Sequence, residues 1–294
     1  MNETIPPSYQ RPGPSRGRAF TLIELLVVIA IIGVLMGIIV PVAAKAKTSA
    51  QSIKSLSNLR QIGLGFTLYT DAERTFPAAD RQPEAYKRAR WSYGGVNTLP
   101  KGSGNPIADL DRPLNTYLDL EANTSALSEV FDSPADDGLY YAAIIDEPVW
   151  ERLGMDTEAD IAETSFLALG TSYFANEWMW CQPGATVGFH NEGGPGGAYT
   201  TRLGPRNVTA DPWRFVVVGG AGQTEAGRYS EAELQTVHAV EGFWYGPRIG
   251  HLAFLDGSVR AERMEGGADT SQYTFFVAPR KHKSPDAWRR AYGP

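Results

Sequence analysis

The side chains able to do chemistry are few and scattered. Four histidines are present, His190, His238, His251 and His282, and no two sit at metal-ligand spacing. His251 lies five residues before Asp256, where a hydrogen bond that orders a turn is the favoured role over metal binding or catalysis. Carboxylates cluster at Asp109/Asp111, at Asp132/Asp136/Asp137 and at Asp156/Glu158/Asp160. Calcium needs six to eight oxygens from such clusters, but none has the spacing of an EF-hand loop, so solvated loop acids are expected. The run Phe215–Gly222 reads as a strand entering glycines, yet Glu225 stands where a dinucleotide fingerprint needs its third glycine. No phosphate-cradling, zinc-protease or nucleophile-elbow motif occurs in the chain. Cys181 is the only cysteine, which excludes a disulfide scaffold and four-ligand zinc sites built on several cysteines. These residue types give no catalytic constellation, and the expectation is a protein that is not an enzyme and holds no cofactor, with calcium the one ion left open.

One carboxylate stands apart. Glu24 lies at the edge of residues 25–40, LLVVIAIIGVLMGIIV, and 20 uncharged residues separate it from Lys45. A helix of that length spans about 30 Å, the hydrocarbon thickness of a bilayer. Lipid forces the backbone to satisfy itself, so a helix is required. A carboxylate there costs up to about 2.5–3.5 kcal/mol at the bilayer centre and less at the edge, which calls for a partner. A free α-amino group created by cleavage before Phe20 would lie four residues away, on the same helix face, or could come from a neighbouring subunit. Residues 1–18 are rich in proline, glycine and arginine and can build neither helix nor core. Arg11, Arg16 and Arg18 favour a cytoplasmic leader, while Lys45, Lys47 and Lys54 blur the asymmetry. Ala44-Lys45-Ala46 also fits the small-x-small pattern of a conventional signal peptide, with a mature start near Lys47.

The elements that position these groups follow from the pattern. Gly33, Gly37 and Pro41 interrupt the apolar run, and Pro41 predicts a kink or local melting over residues 37–41. Beyond it, Ile53, Leu56, Leu59, Ile62, Phe66 and Tyr69 form a stripe at helical spacing, flanked by Lys54, Ser57, Asn58, Arg60 and Gln61. One helix over residues 20–72 is expected, roughly 80 Å long, its second half packed on a sheet. Residues 77–280 are enough for a real core. Strands are expected at Leu139–Ile145, Ser172–Phe174, Phe215–Val218, Leu252–Leu255, Val259–Arg263 and Tyr273–Val277, with a short helix within 151–168 and a loop over 182–212. Asp256-Gly257 predicts a two-residue hairpin turn with positive φ at both positions. The fold class is therefore α+β, a long N-terminal helix on a head with an antiparallel sheet. The chain has 294 residues and a net charge of −6; a pI near 5.3 argues against nucleic acid as a partner. The chain has seven tryptophans and 13 tyrosines, most of them in the head, where they pack its core or, if exposed, offer a glycan-binding surface.

Arg16-Gly17-Arg18-Ala19-Phe20-Thr21-Leu22-Ile23-Glu24-Leu25-Leu26 closely resembles the processing site of type IV pilins and type II secretion pseudopilins. The resemblance implies cleavage between Ala19 and Phe20 by a prepilin peptidase and N-methylation of Phe20. It also implies that Glu24 sets subunit registration. Ala19 replaces the usual glycine and is still small. The implied division is a cleaved leader at 1–19, a transmembrane and polymerisation half-helix at 20–44, an amphipathic half at 45–76, the head at 77–280 and a tail at 281–294. Implied partners are the peptidase, other pilin subunits, an inner-membrane platform with its ATPase, and the membrane, with the head in the periplasm. Residues 112–118 (RPLNTYL), 131–136 (FDSPAD), 171–176 (TSYFAN) and 251–259 (HLAFLDGSV) resemble pseudopilin-like proteins of planctomycete and verrucomicrobial bacteria. Ser133 stands where that subgroup often has cysteine, and Ser258 where it often has a second histidine. Major type II pseudopilins bind calcium near the C-terminus, and none of the acidic clusters here sits in that place.

Overall fold

A computed structural model describes residues 21–77, 92–96, 112–118, 129–138, 165–176, 179, 204–208, 210–220, 231–232, 243–246, 248–267 and 269–275. The expected strand at Leu139–Ile145, most of the helix expected within 151–168, the acidic clusters at 109/111 and 156–160, Cys181, Ala19, Phe20 and the other three histidines lie outside them. The chain divides into two compact units, Met1–Lys47 and Thr48–Pro294.

The first unit is described through α1, Leu22–Glu73, a single 52-residue helix whose first half belongs to it. The helix runs unbroken through Gly33, Gly37 and Pro41. Pro41 removes one N–H and presses on the carbonyl of residue 37. That residue is a glycine.

The second unit holds the remainder of α1, the short helices α2 (Leu114–Tyr117) and α3 (Ser165–Leu169), a 3-10 turn at Pro205–Asn207 and four strands. These are β1 (Tyr173–Ala175), β2 (Val216–Gly220), β3 (Ile249–Phe254) and β4 (Val259–Arg263), antiparallel in the order β1-β2-β3-β4. A long apolar helix with an antiparallel sheet is the α+β arrangement expected of a pilin-like chain. β2 and β3 shift register between Val216 and Val218, so Val217 is an extra residue that bulges β2. The freed carbonyls are answered by Asn176, whose Nδ2 donates to Val216 O and Phe275 O at 2.8 Å and whose backbone N–H donates to Val217 O at 2.9 Å.

Three expectations change. The first concerns the helix face that packs. Leu59, Ile62 and Phe66 are buried as expected, and Leu56 and Tyr69 are half-buried, but Ile53 is 66% exposed. Ser55 and Asn58 are buried instead. The face rotates because β3 and the 129–132 segment present polar groups that need partners, and hydrogen bonds outweigh one exposed isoleucine. The second concerns the β3–β4 hairpin. Gly257 has φ +82°, but Asp256 has no positive φ. Gly257 N–H donates to Phe254 O at 3.0 Å and Phe254 N–H to Ser258 O at 2.9 Å. This is a three-residue loop, with Leu255 and Asp256 at the centre of a turn and Gly257 in the left-handed position. The third concerns the expected strand Tyr273–Val277. Among its described residues only Thr274 forms bridges, parallel to Phe215 and antiparallel to Asp269. Thr270 and Tyr273 close a tight turn immediately before it, with Thr270 N–H donating to Tyr273 O at 2.8 Å, so the chain doubles back rather than running straight.

The core gathers Leu59, Ile62 and Phe66 of α1 with Phe76, Tyr93, Leu114, Phe131, Tyr173, Phe215, Val217 and Ala253. Gly65 lets α2 come close, since a Cβ there would meet Leu118 Cδ2 at 2.8 Å. Leu59 and Leu64 sit on the same helix with opposite burial, 0% and 58% exposed. Leu59→Ala is expected to cost about 2–5 kcal/mol, while Leu64→Ala stays within about 0.5 kcal/mol; urea unfolding of both variants checks the assignment of faces.

Candidate functional site

The start of α1 is a reciprocal hydrogen-bonded cap. Glu24 N–H donates to Thr21 Oγ1 at 3.2 Å, and Thr21 N–H donates to Glu24 Oε2 at 2.9 Å. The Thr21 hydroxyl donates to the same carboxylate oxygen at 2.8 Å. Leu25 N–H then reaches Thr21 O at 3.2 Å, the first helical bond. Thr at the cap and Glu three residues on is a capping box, which satisfies two of the backbone donors a helix start leaves open. The signal was present in the sequence as Thr21-Leu22-Ile23-Glu24 ahead of an apolar run. Sequence reasoning assigned Glu24 only to an amine partner and passed over it. Phe20, that expected partner, lies outside the described residues.

Behind the cap, every leucine, isoleucine, valine and methionine from Leu22 to Val42 is exposed, from 44% at Val28 to 86% at Leu22. The mean hydropathy of the most apolar window is 3.1, and none of that window is buried inside the chain. By length and composition this is the one described helix able to cross a membrane. A Cβ added at Gly33 or Gly37 would touch nothing, so neither glycine is required by packing within this chain.

In the second unit, polar side chains converge where α1 meets β3. His251 Nε2 lies 3.0 Å from Ser52 Oγ and its Nδ1 3.0 Å from Ser55 Oγ. Tyr245 stacks on the imidazole with ring centroids 4.0 Å apart, and its hydroxyl lies 2.6 Å from Ser133 Oγ. Tyr173 Oη donates to Ser55 Oγ at 3.2 Å, and Asn58 Nδ2 donates to Glu129 O at 2.9 Å and to Asp132 O at 3.0 Å. The expectation that His251 orders the hairpin turn is therefore corrected. Asp256 Oδ1 accepts from Ser258 N–H at 2.9 Å and from the Ser258 hydroxyl at 2.6 Å, while His251 ties β3 to the helix. His251 is 1% exposed, and burial pulls its pKa down to about 4, so it stays neutral. Both nitrogens of this neutral imidazole face serine hydroxyls.

The other head motifs use their polar atoms in the same way. The buried Arg112 donates from Nη1 to Gly94 O at 2.5 Å and from Nη2 to Leu169 O at 2.8 Å. Burial pulls its pKa down to about 10, still well above neutrality. Asn115 pairs with both backbone groups of Gly95, accepting its N–H at 2.9 Å and donating to its oxygen at 2.7 Å. Asp136 accepts the backbone N–H groups of Gly138, Ser165 and Phe166 at 3.0 Å and the Ser172 hydroxyl at 2.5 Å. Its charge is thus occupied in ordering the chain. Among the described residues, no three His, Cys, Asp or Glu side chains are grouped to hold a metal.

Residues 14–40 match the model of the prokaryotic N-terminal methylation motif. The matched segment contains the Thr21–Glu24 cap and almost all of the exposed apolar half-helix, and it supports a type IV pilin- or pseudopilin-like protein anchored in a membrane. No curated protein and no solved structure matches the chain.

The His251 environment sets a pH dependence. The unfolded chain takes up this proton near the ordinary value of 6.5, and the folded chain resists it down to about 4. The contribution is complete above pH 6.5 and is lost as pH falls through that window. Between pH 7.5 and 5 the loss is on the order of 2 kcal/mol. Asp132 acts with the opposite sign. Partial burial, then the neighbouring Asp136, push its carboxyl up to about 6, but the residue is largely open to solvent, which weakens the effect. Asp132 is common to wild type and His251→Gln. Chemical unfolding of the full chain in detergent at pH 7.5 and pH 5 is expected to show a smaller acid loss in the variant, and an equal loss in both would remove this role for His251.

Proposed function

We propose that this chain is a prepilin whose mature form is a structural subunit of a type IV pilus-like or type II secretion filament. The observation that carries the proposal is the coincidence of the methylation motif at residues 14–40 with an apolar helix that is exposed among the described residues. Apolar surface of this extent needs lipid before assembly and neighbouring helices after it. A prepilin peptidase would hydrolyse the Ala19–Phe20 bond with water, and the new amine on Phe20 would then take a methyl group from a sulfonium methyl donor, losing a proton and leaving the donor as its thioether. In the filament, Glu24 of one subunit would neutralise that amine on another, offsetting the cost of bringing a carboxylate into an apolar bundle. The basic leader would stay in the cytoplasm and the head in the periplasm. An inner-membrane platform and an ATPase would drive extraction from the bilayer.

A structural role, rather than a catalytic one, is supported by how the motif residues of the head are used. Arg112, Asn115, Asp136 and Asn176 are committed to backbone groups, and His251 is enclosed by serines and a tyrosine. In the assembled state we further propose that the helix unwinds near Gly37 and Pro41, where one backbone hydrogen bond is already missing. Likeness to the planctomycete and verrucomicrobial group is part of this proposal and rests on the head motifs.

Intact-mass analysis and N-terminal sequencing of the protein from native membranes test the reading. A chain beginning at N-methyl-Phe20 is the expected result. A chain beginning at Lys47 would mean removal of the helix as an ordinary signal peptide, which leaves an exported enzyme as the alternative. A chain that keeps the helix and is not cut at Phe20 leaves a membrane-anchored binding protein that recognises glycan or a surface polymer.

A further inference from the structure

We propose that the contact between residues 51–58 of α1 and the head is an acid-labile joint, closed by a hydrogen-bond chain of fixed direction and separable from the apolar contact that follows it. The joint does not depend on the prepilin reading. Two kinds of contact succeed one another along α1. Gln51, Ser52, Ser55 and Asn58 reach the head through polar atoms, whereas Leu59, Ile62 and Phe66 pack into its core. Gln51 Nε2 donates to Pro134 O at 2.5 Å. The donors fix the direction of the chain. Asn58 Nδ2 has only hydrogens to give, so Tyr173 Oη accepts from it at 3.4 Å and donates its own to Ser55 Oγ at 3.2 Å. Ser55 then passes its hydrogen to His251 Nδ1, 3.0 Å away. The imidazole proton is left on Nε2, 3.0 Å from Ser52 Oγ. Each gap in the chain holds one hydrogen, and a second imidazole proton has no place in it.

A proton arriving at Nδ1 would point at the hydrogen of Ser55. Ser55 could turn away only by giving up its bond to the ring, and the ring would then be a cation that is 1% exposed. Its surroundings steady that cation little. On α1, Ser52 and Ser55 are neutral and Lys54 is exposed. Tyr245, stacked at 4.0 Å, and Tyr173 of β1 keep their phenolic protons, both pushed up by burial. β2 brings only valines and glycines. On β4, Ala261 stands opposite His251, and Arg263 shares that sheet face and adds like charge. Asp132 and Asp136 flank Ser133, the partner of Tyr245. Asp136 is engaged by the N–H groups of Gly138, Ser165 and Phe166. Burial, then Asp136, push the Asp132 carboxyl up to about 6, so it loses its charge over the same acid range. Acid therefore parts the polar contact first, while Leu59, Ile62 and Phe66 hold.

Hydrogen exchange on the full-length chain in detergent, read by mass spectrometry at pH 7.5 and pH 5 and corrected for intrinsic rates, tests the joint. A helical segment draws most of its stability from packing, so release from the head opens its amides to exchange. Residues 51–58 are expected to lose protection roughly thirtyfold between the two pH values, because the opened imidazole titrates at 6.5 and the closed one at about 4. Residues 62–70 are expected to keep theirs. His251→Gln is expected to abolish the difference, and Asp132→Asn to preserve it. Nitrogen NMR at pH 7.5, with His251 identified by its absence from the variant, is expected to find the proton on Nε2. Unchanged protection of residues 51–58 in wild type overturns the inference. So does loss in both segments together, which is global unfolding. A loss that survives His251→Gln or vanishes in Asp132→Asn assigns the titration elsewhere and also overturns it, as does a proton on Nδ1. His251→Asn is a second variant for the same comparison, and the wild-type exchange decides the joint without either.

Discussion

The apolar surface between Leu22 and Val42 is the constraint from which the rest follows. No segment described in the structure covers it, and each large side chain there would gain about 1.5–3 kcal/mol by leaving water. Summed along the helix this reaches tens of kcal/mol, more than the whole stability of an ordinary domain. Such a helix cannot remain in water. It must lie in lipid or among other helices, and the same surface suits both. Its beginning then has to satisfy its own backbone, which Thr21 and Glu24 do for each other.

The head answers a different demand. The strands described there are three to six residues long, and many of the described backbone groups lie outside their ladders. Side chains fill the gap. Asn176 answers the carbonyl freed by the β2 bulge, Arg112 bridges two loops through Gly94 O and Leu169 O, and Asp136 gathers the N–H groups that open α3. Gly95 and Gly170, at φ +109° and +78°, let those loops approach until a Cβ on either would collide with backbone oxygen. Each residue would be costly to lose because its partner would be left buried and unsatisfied. In this structure the polar atoms of Arg112, Asp136 and Asn176 hold neighbouring segments of the chain together.

Much of this was legible in the sequence, and the rest was not for identifiable reasons. The apolar run and the Glu24 edge announced the helix, and β4 was read at its full extent, Val259–Arg263. Period and turn residues carry that information locally. The packed face of α1 was misjudged at Ile53 because periodicity scores apolarity, whereas the face is fixed by distant partners such as His251. The role of His251 was assigned to the nearest acid in sequence, while its partners Ser52 and Ser55 lie about two hundred residues away. The cap at Thr21 was legible and overlooked, because Glu24 had already been given another role.

The central claim is that the first half of α1 is sheltered from water on every face. Single cysteines placed at Leu26, Val27, Leu35 and Met36, which stand at four well-separated bearings around the helix, can be probed in a Cys181→Ser background with a water-soluble maleimide on intact membrane vesicles. Protection at all four positions, with ready labelling of a cysteine at the exposed Lys54, is the expected result. Rapid labelling at the four helix positions would contradict it and would return the chain to the class of proteins released into water.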